Sequence, residues 1–470
     1  MIRKQDILDR AAEWRLRPDV VEKDYVLGWL LAALARSDVR TTWVFKGGTS
    51  IKKCFFETYR FSEDLDFSLT PEAPYTEAAI RESLQDLART AAELSGVEFP
   101  PDRVEVRVQR NRQGQPTFQG RIAYRGPLGV PTFPRVLLDL TQHEAILDAP
   151  VERVVFHPYP DAPDDGLTVA TYSFDEILAE KTRALLERSR PRDLYDVVFL
   201  LENSSESFDL AAARKLFQGK CAGKHIATPS AVELVRIVSA APELRSEWSN
   251  MLAHQLPVLP VLDELLRRLP PLLGWIDEPR AAPPEVRLAA VPGGARETVV
   301  APAGIRYWGS GLPLEAIRFA GASRLLVEFD YHGKHRVVEP YSLRRPQTTG
   351  NLLLYGWEQA SAQMKAFKVA EMGSVRATGT SFQPRYRIEF TPHGGLSAPP
   401  TRSPARIGSS RPRPVGGGRG SGPVYVFECT YCGKRFRHAK NDPTIRKHKQ
   451  RNVDWDCPGR RGHFVGTEWR

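Results

Sequence analysis

Apolar positions along the chain change their period several times, and each change marks an element. In residues 1–40 they recur at helical spacing, most clearly in VVEKDYVLGWLLAALARS, which predicts helix. TTWVF (41–45) is β-branched and aromatic and predicts a short strand that ends at two glycines. Strand-like alternation then appears in DLDFSL (64–69), RVEVRVQ (103–109), FQGRIAY (118–124) and PRVLLDLT (134–141), with a helical stretch near 76–95. From Asp175 to about Leu201 the pattern is helical again, broken at Pro191, and helices continue to roughly residue 270. The order predicts a mixed α/β domain over residues 1–270 with a helical C-terminal part.

Beyond it, LPPLLGWIDEPRAAPPEVR (269–287) is proline-rich and places a linker over 271–299. Alternation resumes in LLVEFDYHGKHRVVEP, which reads as a hairpin through His332-Gly333, and in NLLLYGW; residues 300–390 are expected to form a second, β-rich domain. Residues 391–423 are dense in Gly, Pro, Ser and Arg and are expected to be a flexible basic linker. A short cysteine-containing module, 424–470, follows. No internal repeat is present.

At 470 residues and 41% hydrophobic composition the chain can hold several packed domains. Its N-terminus is charged throughout, and no apolar run approaches the roughly 18 residues of a membrane span, so a cytoplasmic protein without a membrane partner is expected. The net charge of +10 is unevenly placed. Residues 401–470 hold 16 Lys and Arg against 5 Asp and Glu; the tail therefore carries +11 and residues 1–400 sum to −1. A tail of that sign is drawn to phosphate backbones, RNA or DNA.

The chemistry concentrates in FKGGTSIKKCFFETYRFSEDLDFSL (45–69). On a strand over 64–69, Asp64, Asp66 and Ser68 share one face while Leu65, Phe67 and Leu69 share the other. Two carboxylates on one face can hold hard divalent cations such as Mg2+ or Mn2+. The same alternation in PRVLLDLT offers Asp139 as a third carboxylate. Gly47 and Gly48 follow a strand and precede a helix beginning near Thr49, which exposes bare backbone to nucleotide phosphates. A Gly-Gly turn or an Asp-x-Asp alone is commonplace; their order and phase together point to nucleotidyl transfer. Glu63 falls on the core side by this phase. His143 lies near a strand end, as an acid or base or as a surface histidine.

Further on, Lys181 sits in a predicted helix as a point charge for a triphosphate, with Arg183 and Arg192 as other candidates. Pro191 suits the first turn of a new helix, which sets Asp193 and Asp196 three residues apart on one face. KGGTSIKKCFFETYRFSEDLDFSL, preceded by EKDYVL and followed by EILAEKTRALLERSRPRDLYDVVFLL, resembles the AbiEii/AbiGii family of nucleotidyltransferase toxins over about residues 1–230. The resemblance implies a DNA polymerase β-type nucleotidyltransferase fold and a role in bacterial toxin–antitoxin or phage defence, with a cognate antitoxin as partner. It implies that Gly48, Thr49 and Ser50 form the phosphate-side turn, that Asp64, Asp66 and Asp139 are metal ligands, and that Lys181 contacts the NTP phosphates. Arg192, Asp193 and Asp196 would complete the site.

The 300–390 segment resembles WYL domains, small β-barrel-like modules thought to bind nucleic acid or a nucleotide-like ligand. Tyr331, Gly333, Arg336 and Pro340 fit the pattern, whereas Leu352-Leu353-Leu354 replace its signature tripeptide. In the last module, Cys429 and Cys432 have the C-x2-C spacing of a zinc knuckle. His438, His448, Cys457 and His463 are available to complete it; His448 and Cys457 give a compact Cys3His set for Zn2+. Arg and Lys around Phe436 and Trp455 suit a nucleic-acid contact.

These readings define a metal-dependent enzyme that transfers a nucleoside monophosphate from an NTP to an RNA acceptor, the tRNA 3′ end foremost. The alternatives are a nucleic-acid-binding regulator with a vestigial catalytic site and an enzyme that nucleotidylates protein.

Overall fold

The computed structural model describes residues 1–278 apart from 112–113, 164–165 and 205–208. It also describes residues 288, 297–299, 312–390 apart from 347–348, and 423–469 apart from 431, 439–441, 450–455 and 458. The flexible basic linker expected over 391–423 lies, except for its last residue, outside the described residues. Trp455 does too.

Two helices open the chain, α1 (Lys4–Trp14) and α2 (Pro18–Leu34), before β1 (Trp43–Lys46). A four-residue helical turn, α3 (Gly47–Ser50), widens into a further turn over Ile51–Phe55 and leads to β2 (Asp64–Leu69). Then come α4 (Glu77–Ser95), β3 (Glu105–Arg110), β4 (Pro116–Ala123), β5 (Arg135–Thr141), β6 (Val151–Val154) and β7 (Thr168–Thr171). These strands form one sheet in the order β3-β4-β5-β2-β1-β7-β6. β2 pairs in parallel with β5 and antiparallel with β1. The last two strands, β6 and β7, were not expected from the apolar pattern: each has four residues, too few for a period to show.

One face of the sheet is core. Trp43 and Phe45 pack on Phe67, and α4 lies over Gly120, where a Cβ would come within 2.5 Å of Leu84. α4 itself is capped by the Thr76 hydroxyl, which accepts from the Ala79 amide at 3.2 Å, and it ends at Gly96 with φ of 72°. A helical layer follows: α5 (Phe174–Arg188), α6 (Pro191–Glu202), α7 (Leu210–Gly223), α8 (Ala231–Ala240), α9 (Pro242–Leu252) and α10 (Leu262–Leu272). The break between α5 and α6 falls where the sequence places it, with Pro191 at the first helical position and Ser189 left-handed at φ 42°.

The expected linker at 271–299 begins too early. α10 runs through Pro270 and Pro271 to Leu272, and Leu273, Trp275 and Ile276 are buried; their apolar bulk outweighs the helix-breaking signal of the prolines. At its far end β8 (Glu297–Val299) already pairs with β10. The β-rich part consists of α11 (Leu314–Ala322), β9 (Leu325–Tyr331), β10 (Lys334–Pro346), β11 (Leu353–Glu358), β12 (Gln363–Lys368) and β13 (Met372–Ser381). Its strand order is β12-β11-β10-β9-β13, with the hairpin turning at His332 and Gly333, both at positive φ. Strands β14 (Pro423–Cys429), β15 (Arg435–His438) and β16 (Gly462–Trp469) form a third sheet.

The two larger sheets belong to one compact unit and the third to another. The seven-stranded and β-rich parts are therefore not independent bodies. The buried guanidinium of Arg318 on α11 meets Glu57 at 3.0 Å, and Asn203 after α6 donates to the Ala322 carbonyl at 3.0 Å.

Beneath α2, His157 is buried against Tyr25, Trp29 and Tyr159, and neither ring nitrogen finds a hydrogen-bond partner among the described residues. Burial, helped by the nearby Lys53 ammonium, pushes its pKa down to about 3. Because the unfolded chain takes up this proton near pH 6.5 and the folded chain does not, the contribution of His157 is intact above that pH and falls as pH drops. The wild type should thus lose about 2 kcal/mol more stability than His157→Leu between pH 7 and pH 5. Urea unfolding of both proteins at the two pH values measures the difference, and parallel slopes would contradict it.

Candidate active site and metal-binding group

β2 sets the site. Leu65, Phe67 and Leu69 are buried, while Asp64 and Asp66 are half-buried on the opposite face. Parallel pairing puts Asp139 of β5 directly beside Asp66, and antiparallel pairing puts Lys46 of β1 on its other side. Neighbouring strands lie about 4.8 Å apart, so the three side chains form a row. Gln119 of β4 extends that row and donates to Asp139 at 3.1 Å.

Asp66 is pushed up to about 6 by burial, with Asp139 and Asp64 adding to the effect and Lys46 and Lys181 opposing it. Asp64 is raised by burial as well, against the pull of Lys23. Carboxylates crowded together and half-desolvated need cationic charge to ionise fully, and their hard oxygens suit a divalent cation. Gly47, at φ 79°, is required here: a Cβ would lie 2.1 Å from the Asp66 Oδ2.

The expected phosphate-side turn is only partly available. Thr49 donates to the Asp64 carbonyl and Ser50 to the Gly47 carbonyl at 3.0 Å, and both residues are buried. Their hydroxyls brace the turn against β2. Gly48 faces Arg60 and Ser62, which a Cβ would meet at 2.7 and 3.1 Å.

Asp193 and Asp196 are buried near the start of α6 and each is already paired. The Arg188 guanidinium holds Asp193 through bonds of 2.7 and 2.9 Å. Arg60 grips Asp196 through bonds of 2.6 and 2.7 Å, Lys181 joins it at 2.8 Å, and the Tyr59 hydroxyl donates to it. Burial works to raise the Asp196 pKa, but Arg60 and Lys181 outweigh it and hold the carboxyl well below its usual range. The charge of Lys181 thereby acts on both Asp196 and Asp66, while that of Arg192 acts on Glu63 and Asp64.

Three participants were not anticipated. Lys46 forms a buried pair with Glu144, to which Arg183 and Lys224 also turn. Arg60 has no local sequence signal, because its partner is 136 residues away. Glu63 is not on the core side: it lies just before β2, half-exposed, and pairs with Lys23 at 3.5 Å and His254 at 3.2 Å. His143 is exposed and lies edge-on against Tyr75.

In the C-terminal sheet, Cys429, Cys432, His448 and Cys457 bring one ligand atom each to within 4.8 Å of one another, a group that could hold a metal ion. The sulfurs of Cys429 and Cys457 are 3.8 Å apart, the separation that two ~2.3 Å Zn–S bonds at a tetrahedral angle give. Without a cation, burial and the neighbouring thiols push Cys457 up to about 12. His438 turns instead to the Asp442 carbonyl.

An α/β sheet with carboxylates on adjacent strands, a Gly-Gly turn and buried cations beside them defines a nucleotidyltransferase. The sequence profile described as "Nucleotidyl transferase AbiEii toxin, Type IV TA system" matches residues 29–268, and the chain belongs to this family of nucleotidyltransferase toxins. Among solved structures it is similar to MenT4, a nucleotidyltransferase toxin from Mycobacterium tuberculosis H37Rv, at 21% identity and a TM-score of 0.41, covering 59% of this chain and 90% of that one. It is similar also to proteasome accessory factor B/C of Arthrobacter aurescens, at 10% identity and a TM-score of 0.15, covering 88% and 76%. No curated protein matches.

The two kinds of aspartate should separate by mutation. Asp196→Asn leaves Arg60 and Lys181 buried without their counter-charge and should cost about 3–5 kcal/mol of stability. Asp66→Asn removes a crowded carboxylate and should abolish transfer with stability unchanged or raised. Chemical denaturation beside an activity assay tests the contrast; equal destabilisation would refute it.

Proposed function

We propose that the protein transfers a nucleoside monophosphate from an NTP to an RNA acceptor, with the tRNA 3′ end as its target. The observation that carries the reading is the row Lys46, Asp66, Asp139 beside Asp64 on the open side of the sheet, in a family of nucleotidyltransferase toxins. The donor set is all-oxygen and fits magnesium, which Asp64, Asp66 and Asp139 would hold; bound there, the metal supplies charge stabilisation at the phosphoryl group. Backbone at Gly47 and Gly48, with Lys181 and Arg192, would receive the polyphosphate. The acceptor hydroxyl gives its proton to water as its oxygen bonds the α-phosphorus, and the bond to pyrophosphate breaks.

Two modules complete the reading. The β-rich part is WYL-like, with Arg336 committed to Glu358 within its sheet. The Cys3His group takes Zn2+ and, in so small a module, supplies much of its stability. The basic tail contacts nucleic acid, RNA or DNA, and a cognate antitoxin is the partner implied by the family. No helix among the described residues is long and apolar enough to cross a membrane.

Incubation with magnesium, total bacterial RNA and each α-labelled ribonucleotide in turn should label a tRNA-sized band, and Asp64→Ala/Asp66→Ala should not. Label in protein alone would sink the RNA acceptor.

Purified protein should carry one equivalent of zinc per chain by metal analysis. Cys457→Ser should lose it, with the tail becoming protease-sensitive; retention of zinc by that variant would refute the assigned ligand set.

A further inference from the structure

A cavity of about 530 Å3 opens at Glu63, the residue before Asp64, lined among others by Arg17, Lys23, Tyr124, Leu128 and Arg135. Its size is that of a small-molecule site. Its lining is unlike a phosphate pocket: Arg17, Lys23 and Arg135 are balanced by Asp19, Glu22 and Glu63, and Val20, Leu128, Val130 and Pro134 provide apolar surface. Balanced donors and acceptors around an apolar slot match a nucleoside, whose faces are apolar and whose ribose and base edges carry donors and acceptors.

The position of the cavity says whose nucleoside it takes. The Gly47-Gly48 turn ends β1, on one flank of β2. The cavity lies between the start of α2 (Arg17 to Lys23) and the connection between β4 and β5 with Arg135 at the start of β5, the strand on the opposite flank of β2 that carries Asp139; Glu63 and His254 complete it. In-line displacement needs the attacking hydroxyl and the departing pyrophosphate on opposite sides of phosphorus.

The sheet surface leading away from this flank is basic. Arg121 stands in the row of Asp64 with Leu137 between them, and Arg107 in the row of Asp66 beyond Asp139 and Gln119. Beyond Asp139, on β3, β4 and the start of β5, Arg107, Arg121 and Arg135 outnumber Glu105, with which Arg107 and Arg135 pair, while Arg121 donates to Gln119. That surface suits the phosphates of a single strand.

We infer that the cavity holds the acceptor's reactive terminal nucleoside and that Arg107 and Arg121 hold the phosphates preceding it. This inference rests on the RNA-acceptor reading above.

Steady-state transfer by the full-length protein, with the RNA and NTP concentrations varied separately, tests both halves. Val130→Trp, which fills the cavity, should raise KM for RNA at least about tenfold and leave KM for NTP within about twofold. Arg107→Ala/Arg121→Ala should do the same. In equilibrium binding, it should also lower the slope of log affinity against log salt by about 1.4, at ~0.7 per single-strand phosphate. The unchanged NTP constant certifies folding, and if Val130→Trp does not fold, the Arg107 and Arg121 pair still decides. A raised NTP constant with unchanged RNA constant would assign the cavity to the incoming nucleotide and overturn the inference, as would no change in either. A wild type that labels no RNA overturns the underlying reading and the cavity assignment with it; a wild type that labels RNA beside unaffected variants overturns the assignment alone.

Discussion

The buried carboxylate of Asp196 is the constraint on which the catalytic unit turns. It takes Tyr59 and Arg60 from the loop before β2 and Lys181 from α5, and so fixes two chain segments on α6 around one charge. A desolvated carboxylate is tolerable only with such partners, and the same holds for the two cations. The cluster therefore fixes where Lys181 stands, and Lys181, with Lys46 and Arg188, is among the cations acting on Asp66. The buried charge cluster and the carboxylate row are continuous here: the position of the ammonium that acts on Asp66 follows from a carboxylate on another element.

That continuity explains what could be read from the sequence. The phase of DLDFSL follows from a period of two, and the structure places its faces accordingly. The α5–α6 break was legible from Pro191, and the C-x2-C knuckle with His448 and Cys457 from spacing. Asp193 and Asp196 were legible as a pair on one face, but not that each is buried on an arginine. Arg60 and Glu144 were not legible at all, since their meaning arises only when distant strands close. Lys46, adjoining the glycines, was in view; what hid it was the absence of any local cue to Glu144.

Apolar counting failed where two signals competed. Proline and glycine in LPPLLGWIDE suggested a linker, yet the leucines, Trp275 and Ile276 of the same stretch are buried, and burial of several large side chains exceeds the cost of prolines near a helix end. The consequence is architectural. With α10 extended, Arg268 sits buried near Glu202 at 3.5 Å, the carboxylate that Arg324 approaches from the β-rich part at 3.6 Å. Arg318 meanwhile reaches Glu57, two residues before Tyr59. The β-rich part is thus anchored on the loop that supplies Tyr59 and Arg60 to Asp196, and a shift of α11 would be felt first at that loop.

Charge placement separates two tasks that one surface could not perform. Residues 1–400 are nearly neutral and the last 70 carry +11. Long-range attraction of a polyanion follows the charge excess and is screened by salt, so in this chain most of it comes from the tail. Selection of the reacting atom needs the reverse, a site where opposite charges are balanced within a few ångströms, because an unbalanced basic cleft would seat any phosphate. The cleft comes close to that: Glu144 pairs with Lys46 and Glu63 with Lys23, while Asp196 pairs with both Arg60 and Lys181, leaving one positive charge over beside Asp66. Near β2, Asp64, Asp66 and Asp139 remain in acidic excess, an environment that suits a divalent cation better than a polyanion.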